Sequence, residues 1–206
     1  MISLDIFADP VCPWCLIGKA RLDRALEARP DHPFALAWRP FQLNPTLPPE
    51  GMDRQAFLQA RFGAEAERIH VPVLDAAREA GVTLDLAAIR RMPNTFDAHR
   101  LLFWAGLEER QTRVMSALMR AYWREGRDIG APAALADIAA EAGMDRAMVA
   151  RLLASDADRD TVAEAEAHAR ERGIRAVPTF ILGNQYVLEG AQPVETWLKV
   201  IDEIAA

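Results

Sequence analysis

The 206-residue sequence holds only two cysteines, two tyrosines and four histidines, and these scarcities remove whole classes of protein. Two cysteines cannot build the multi-bridge scaffold of a small disulfide-rich domain. No run of about 18 apolar residues is available for a transmembrane helix. Basic residues are the minority, 24 Lys and Arg against 30 Asp and Glu for a net charge of −6. Neither nucleic acid nor an anionic membrane surface is therefore expected as a partner. A four-ligand metal site needs a second close pair of Cys or His, and His32, His70, His99 and His168 are scattered, so no metal is expected. With 51% hydrophobic residues, the chain is no disordered segment. Its length suits one core carrying an insertion, or two small ones.

Residues Met1 to Phe7 read poorly as a secretory leader: they have no basic start, and Asp5 interrupts the apolar stretch. Ile2, Leu4 and Ile6 alternate with Ser3 and Asp5, the pattern of a strand. A cytoplasmic location is expected, where thiols are kept reduced. A cysteine pair in that setting serves catalysis or a metal rather than a structural bridge.

The pair is Cys12-Pro13-Trp14-Cys15, followed by a helical pattern from Leu16 to Arg29 that stops at Pro30-Asp31-His32-Pro33. Phe34, Leu36 and Trp38 then alternate as a second strand. Prolines 40, 45, 48 and 49 break regular structure, and from Asp53 to Arg172 nearly everything reads as helix. Val114, Leu118 and Tyr122 make an i, i+4, i+8 stripe beside Met115, Met119 and Trp123, and Asp145 suits an N-cap. After Val177 the chain reads as a hairpin with a two-residue turn at Gly183-Asn184. Pro193 then opens a last amphipathic helix carrying Val194, Leu198 and Ile201. The expected architecture is α/β: a split domain of residues 1–45 and 173–206, interrupted by an all-helical insertion, residues 46–172.

A Cys-x-x-Cys pair between a strand and a helix has a clear chemistry. The thiolate is the nucleophile in disulfide exchange, and the unpaired N–H groups and positive dipole end of a helix's first turn favour it. Cys12 is expected at that turn, exposed to a partner disulfide. Cys15, one turn deeper, is expected to resolve the mixed disulfide. Pro13 suits the first helical position, where its missing N–H costs nothing, and Trp14 is a candidate apolar surface for substrate. His99 and Arg100 are weighed as thiolate stabilisers against ordinary roles in the fold. Met92, Trp104, Met115, Met119 and Trp123 are weighed as groove lining against core.

The segment Asp9-Pro10-Val11-Cys12-Pro13-Trp14-Cys15-Leu16-Ile17-Gly18 resembles the active-site motif of the FrnE-like branch of the DsbA thioredoxin-fold family. Trp38-Arg39-Pro40-Phe41-Gln42-Leu43-Asn44-Pro45, Asn94-Thr95 with Ala98-His99-Arg100-Leu101, Ala176-Val177-Pro178-Thr179-Phe180 and Gly190-Ala191-Gln192-Pro193 resemble its further landmarks in order. The resemblance implies a thioredoxin-like fold interrupted by a helical insertion. It also implies a cis-proline at Pro178 opposite the cysteines, with the Val177 backbone offered to substrate. Asn94 is, on the same basis, a candidate contact for substrate or glutathione, weighed against a helix-capping role.

The function expected is thiol–disulfide oxidoreductase, acting on protein or small thiol substrates as a monomer or homodimer. No bound cofactor is expected, with glutathione a candidate co-substrate. The alternative comes from the related 2-hydroxychromene-2-carboxylate isomerases and kappa-class glutathione transferases. These typically carry serine where Cys12 stands and do not need a thiol at the position of Cys15.

Overall fold

The computed structural model of the protein describes residues 1–205. Strand β1 (Ile2–Ala8) lies inside a four-stranded sheet, flanked by β2 (Phe34–Pro40) and β5 (Thr179–Leu182), with β6 (Tyr186–Glu189) at the far edge. Leu4, Ile6 and Ala8 are fully buried, and Asp5 and Phe7 on the opposite face nearly so, as befits a strand covered on both sides. β1 runs parallel to β2, with Ile6 opposite Trp38, and antiparallel to β5, with Ile6 opposite Phe180. Parallel neighbours need a crossover, supplied here by helix α1 (Pro13–Ala28).

Helix α1 buries Cys15, Ile17, Gly18, Leu22 and Ala25. At Gly18 the helix packs closely against Pro178 and Ala191. A Cβ there would sit 3.1 Å from Pro178 Cγ and 3.4 Å from Ala191 Cα, so a side chain would push the helix off the turn that faces the cysteines. The closing helix, α9 (Val194–Ala205), packs against α1. Trp197 anchors it, edge-on to Phe180 at 4.8 Å.

Between β2 and β5 the chain is mainly helical. In order come β3 (Met52–Asp53), α2 (Arg54–Phe62), two single 3₁₀ turns, α3 (Val71–Glu79), β4 (Arg91–Met92), α4 (Phe96–Leu107), α5 (Gln111–Trp123), α6 (Pro132–Glu141), α7 (Arg146–Leu153) and α8 (Arg159–Glu171). The expected stripe on α5 is buried as a block: Val114, Met115, Leu118, Met119, Tyr122 and Trp123. Asp145 caps α7 by accepting from the Met148 N–H at 2.8 Å, an arrangement that typically stabilises a helix by about 1 kcal/mol. No helix among the described residues is long and apolar enough to cross a membrane.

Two local expectations change. β3 and β4 pair antiparallel, Met52 with Met92 and Asp53 with Arg91, where helix was expected. Two residue pairs are too few to produce an alternation that a sequence could display. The β5–β6 hairpin closes over three residues rather than two, because Leu182 pairs with Tyr186. Gly183 and Asn184 take left-handed conformations, φ 55° and 58°, and the Gln185 N–H reaches the Leu182 carbonyl at 3.0 Å. Gln185 is then the extra residue displaced from the ladder.

Candidate active site

The cysteines stand where β1 hands over to α1. Cys12 is the N-cap of the 16-residue helix, with extended backbone (φ −84°, ψ 117°), and Pro13 occupies the first turn. The Cys12 N–H donates to the Asp9 carbonyl at 2.9 Å, and the Cys12 carbonyl accepts from the Cys15 and Leu16 N–H groups at 3.1 and 3.2 Å. Sulfur is thereby held at the positive end of a helix dipole, with no side chain capping that end. Cys12 and Cys15 approach to 3.4 Å without a disulfide, and both are free thiols.

Cys12 is not exposed as expected: only 3% of it reaches solvent, against 1% of Cys15. The covering group is the turn before β5. The Val177–Pro178 peptide is cis, and the Cys12 thiol donates to the Val177 carbonyl at 3.5 Å. Trp14 is the exposed member of the motif, at 37%. Burial pushes the Cys15 thiol well above its usual range, and the adjacent Cys12 sulfur pushes the same way.

Behind the cysteines lies Asp9, fully buried. Its Oδ2 accepts from the Leu43 N–H at 2.8 Å and the Thr95 hydroxyl at 3.2 Å, and its Oδ1 from the Val11 N–H at 3.3 Å. Desolvation outweighs these bonds and pushes its carboxyl up to about 7. The Asp9 backbone and charge both act on Cys15. Facing Asp9 Oδ1 at 4.0 Å is His99 Nε2, a buried nitrogen with no hydrogen-bond partner among the described residues. The spacing is that of an ion pair, but burial lowers the imidazole to about 4 while the Phe41 backbone opposes that shift. Between about pH 4 and about pH 7, the carboxyl is protonated and the imidazole neutral. His99 thus reaches Asp9 rather than a cysteine sulfur.

The remaining candidates separate clearly. Arg100 turns away, donating to the Ala157, Leu152 and Ser155 carbonyls at 3.0, 2.9 and 2.8 Å and pairing with Asp97 at 2.9 Å. Asn94 donates to the Leu47 carbonyl at 2.7 Å and accepts from the Phe96 N–H at 3.0 Å, and its side chain meets the Gln42 amide at 2.9 Å. It lines a shallow polar hollow with Pro45, Pro49 and Arg159, apart from the cysteine motif. Trp104, Met115 and Met119 are core.

Met92 and Trp123 instead join Val11, Pro13 and Trp14 around a cleft of about 270 Å³. Trp123 Nε1 donates to the Pro10 carbonyl at 3.0 Å, which ties α5 to the motif loop. The opposite wall of the cleft is α2, with Arg54, Phe57, Leu58 and Arg61. Sequence reasoning gave neither arginine nor Asp9 a role. The signal for Asp9 was its place as the lone charge between Ile6 and Cys12. For α2 it was the i, i+3, i+4, i+7 spacing of Arg54, Phe57, Leu58 and Arg61, which puts all four on one face. Among the described residues, no group of three or more His, Cys, Asp or Glu side chains is arranged to hold a metal ion.

A strand, a dithiol at a helix N-terminus and a facing cis-proline turn on a mixed sheet define a thioredoxin-fold protein. The chain belongs to the DSBA-like thioredoxin domain family, whose model matches residues 3–202. It is similar to a probable DsbA oxidoreductase from Streptomyces coelicolor, at 29% identity and TM-score 0.86, over 98% of this chain and 89% of that one. The uncharacterized protein YwbO of Bacillus subtilis is 26% identical over 98% of this chain and 96% of its own length. The cytosolic disulfide reductase DsbM of Pseudomonas aeruginosa, solved with GSH, shares the fold at TM-score 0.67 and 20% identity, over 98% of both chains.

Proposed function

We propose that this DsbA-like oxidoreductase works as a dithiol, with Cys12 as nucleophile and Cys15 as resolving thiol. The observation that carries this reading is the pair itself. Two free sulfurs lie 3.4 Å apart at a helix N-terminus, the outer one bonded to the Val177 carbonyl. Ionised, Cys12 no longer donates, and the Val177 carbonyl becomes free for an incoming extended backbone.

The thiolate attacks one sulfur of a substrate disulfide. The S–S bond breaks, the first substrate thiolate leaves, and Cys12 carries a mixed disulfide. Cys15 then loses its proton, attacks Cys12 Sγ and releases the second thiolate. Two electrons pass to the substrate and the protein ends with a Cys12–Cys15 disulfide, which a low-molecular-weight thiol such as glutathione reduces again. A buried thiol with so raised a pKa needs a base. Asp9, whose carboxyl ionises as pH rises through about 7, is the group assigned to take that proton in its ionised form.

Pro13 holds the first turn, Trp14 and Pro178 flank the reacting sulfur, and Asn94 positions the segment around Leu47. A reducing, cytoplasmic setting suits this reading, and DsbM is described as cytosolic.

A second reading rests on the apolar cleft beside Trp14, which suits a glutathione-dependent isomerase or transferase acting on a small aromatic molecule. That chemistry uses Cys12 alone. Replacing Cys15 with serine separates the two: disulfide turnover is lost if the dithiol operates and survives if it does not.

A further inference from the structure

The cleft beside the motif carries an unbalanced charge. Arg54 Nη2 lies 2.9 Å from His70 Nε2, and burial and then Arg54 push His70 below its ordinary value. Arg61 reaches Asn44 Oδ1 at 3.3 Å and lies over the Phe57 and Phe62 rings at 5.9 and 5.8 Å. Among the residues lining the cleft there is no carboxylate. Many of the other arginines in this acidic protein sit against acids, as Arg91 does against Asp128 and Arg120 against Glu125 and Glu141. Two guanidinium groups two turns apart on one helix face, one beside a histidine and the other over aromatic rings, with no carboxylate in the cleft lining, form a ready acceptor for an anion.

The apolar lining includes Val11, Trp14, Leu43, Phe57 and Trp123. A volume of about 270 Å³ is close to the lower end of small-molecule pockets, roughly 300 Å³, and suits one substituted aromatic ring. Val11 and Pro13, the residues on either side of Cys12, lie in its wall.

We propose that this cleft selects small disulfides in which an apolar, aromatic-sized body bears a carboxylate, the ring against Trp14 and Phe57 and the carboxylate on Arg54 and Arg61. The proposal rests on the dithiol reading above, because it presents the substrate's S–S bond to Cys12. Cys12 takes one substrate sulfur as the other departs as a thiolate, Cys15 displaces the bound sulfur, and two thiols leave as the protein takes up the Cys12–Cys15 disulfide.

The test is single-turnover oxidation of pre-reduced, desalted protein by three disulfides: dithiobis-nitrobenzoate (aromatic, anionic), dithiodipyridine (aromatic, neutral) and glutathione disulfide (anionic, not apolar). Each rate constant is divided by that of N-acetylcysteine with the same reagent. The normalised rate is expected to be highest for dithiobis-nitrobenzoate. The paired change Arg54→Met with Arg61→Met is expected to lower the anionic-to-neutral ratio ~10- to 100-fold, the worth of a charge-assisted contact or two. Lysine at both positions restores part of it. Arg61→Met alone, on an exposed side chain, shows a smaller fall in the same direction and covers the case in which the double variant does not fold. A ratio unchanged within about twofold in these variants overturns the charge assignment, and glutathione disulfide reacting as fast as dithiobis-nitrobenzoate overturns the apolar one. If no disulfide oxidises the protein in a Cys12-dependent way, the dithiol reading itself fails. Cys12-dependent oxidation without charge preference removes only the cleft proposal.

Discussion

The two walls of the cleft are built in different ways. One wall is the motif loop, which brings Val11, Pro13 and Trp14 to the cleft beside the place where the Cys12 sulfur, the Val177 carbonyl and the helix dipole do the chemistry. The other is α2 with Trp123 from α5, contributed by the chain between β2 and β5. It supplies charge and apolar surface but no reacting atom. Reactivity is therefore concentrated in a few adjacent residues, while recognition is spread over segments far apart in sequence.

The largest expected effect lies on the first wall. Cys12→Ser is expected to lower disulfide exchange by ~1000-fold or more, since the nucleophile is removed outright. Substitutions on the α2 wall are limited to the fold-changes given above. Stopped-flow oxidation of both sets of variants checks the contrast, and comparable losses on the two walls would break it.

The Asp9–His99 pair gives the next effect, read in stability. Asp9 is raised to about 7 in the folded protein from an ordinary value of 3.8. Its contribution is thus present at low pH and lost as pH rises from about 4 to about 7. His99 is lowered to about 4 from 6.5, so its contribution is present above pH 6.5 and lost as pH falls towards 4. The folded pair carries one proton on Asp9, and the unfolded pair carries one on His99. Their slopes cancel between about pH 4 and pH 6.5.

Asp9→Asn removes one side of that balance. Relative to the parent protein, the variant is expected to lose roughly 3 kcal/mol of stability between pH 6.5 and pH 4, at about 1.4 kcal/mol per pH unit. His99→Gln is expected to show the opposite slope. Urea melts at half-unit pH steps measure both. The neighbouring acid is Glu166, whose charge raises Asp9 further but which is itself bonded to Arg170 at 2.7 Å. In the same Asp9→Asn variant, resolution of the mixed disulfide slows, which single-turnover kinetics reads directly.

The smallest effect is at the seam between the walls. Trp123→Phe keeps most of the buried ring and removes the Nε1 bond to the Pro10 carbonyl. A loss of about 1 kcal/mol is expected, the net worth of one hydrogen bond, measured by chemical denaturation.

The same division explains how much the sequence disclosed. The strand, the Cys-x-x-Cys helix start and the closing hairpin and helix are local patterns, and each lies within a dozen or so residues. Pro178 opposite the cysteines came from resemblance, since a proline before a strand has no local mark of its isomer. The burial of Cys12 was missed because the group covering it, Val177, lies 165 residues away. The charge pattern of α2 was on the page, but nothing local ties Arg54 and Arg61 to Cys12. Asp9 and His99 meet only because Thr95 and α4 fold back onto the β1–α1 loop. Side-chain pairs created by tertiary packing leave no period in a sequence.

The central claim is that two thiols act in sequence, and one measurement tests it directly: the intact mass of Cys15→Ser protein after exposure to one equivalent of dithiobis-nitrobenzoate, beside the parent. The dithiol account predicts a persistent single adduct on Cys12 in the variant. In the parent it predicts the loss of two hydrogens with no adduct retained. A parent protein that keeps the adduct, or a Cys15→Ser protein that turns over disulfides as fast as the parent, would contradict it.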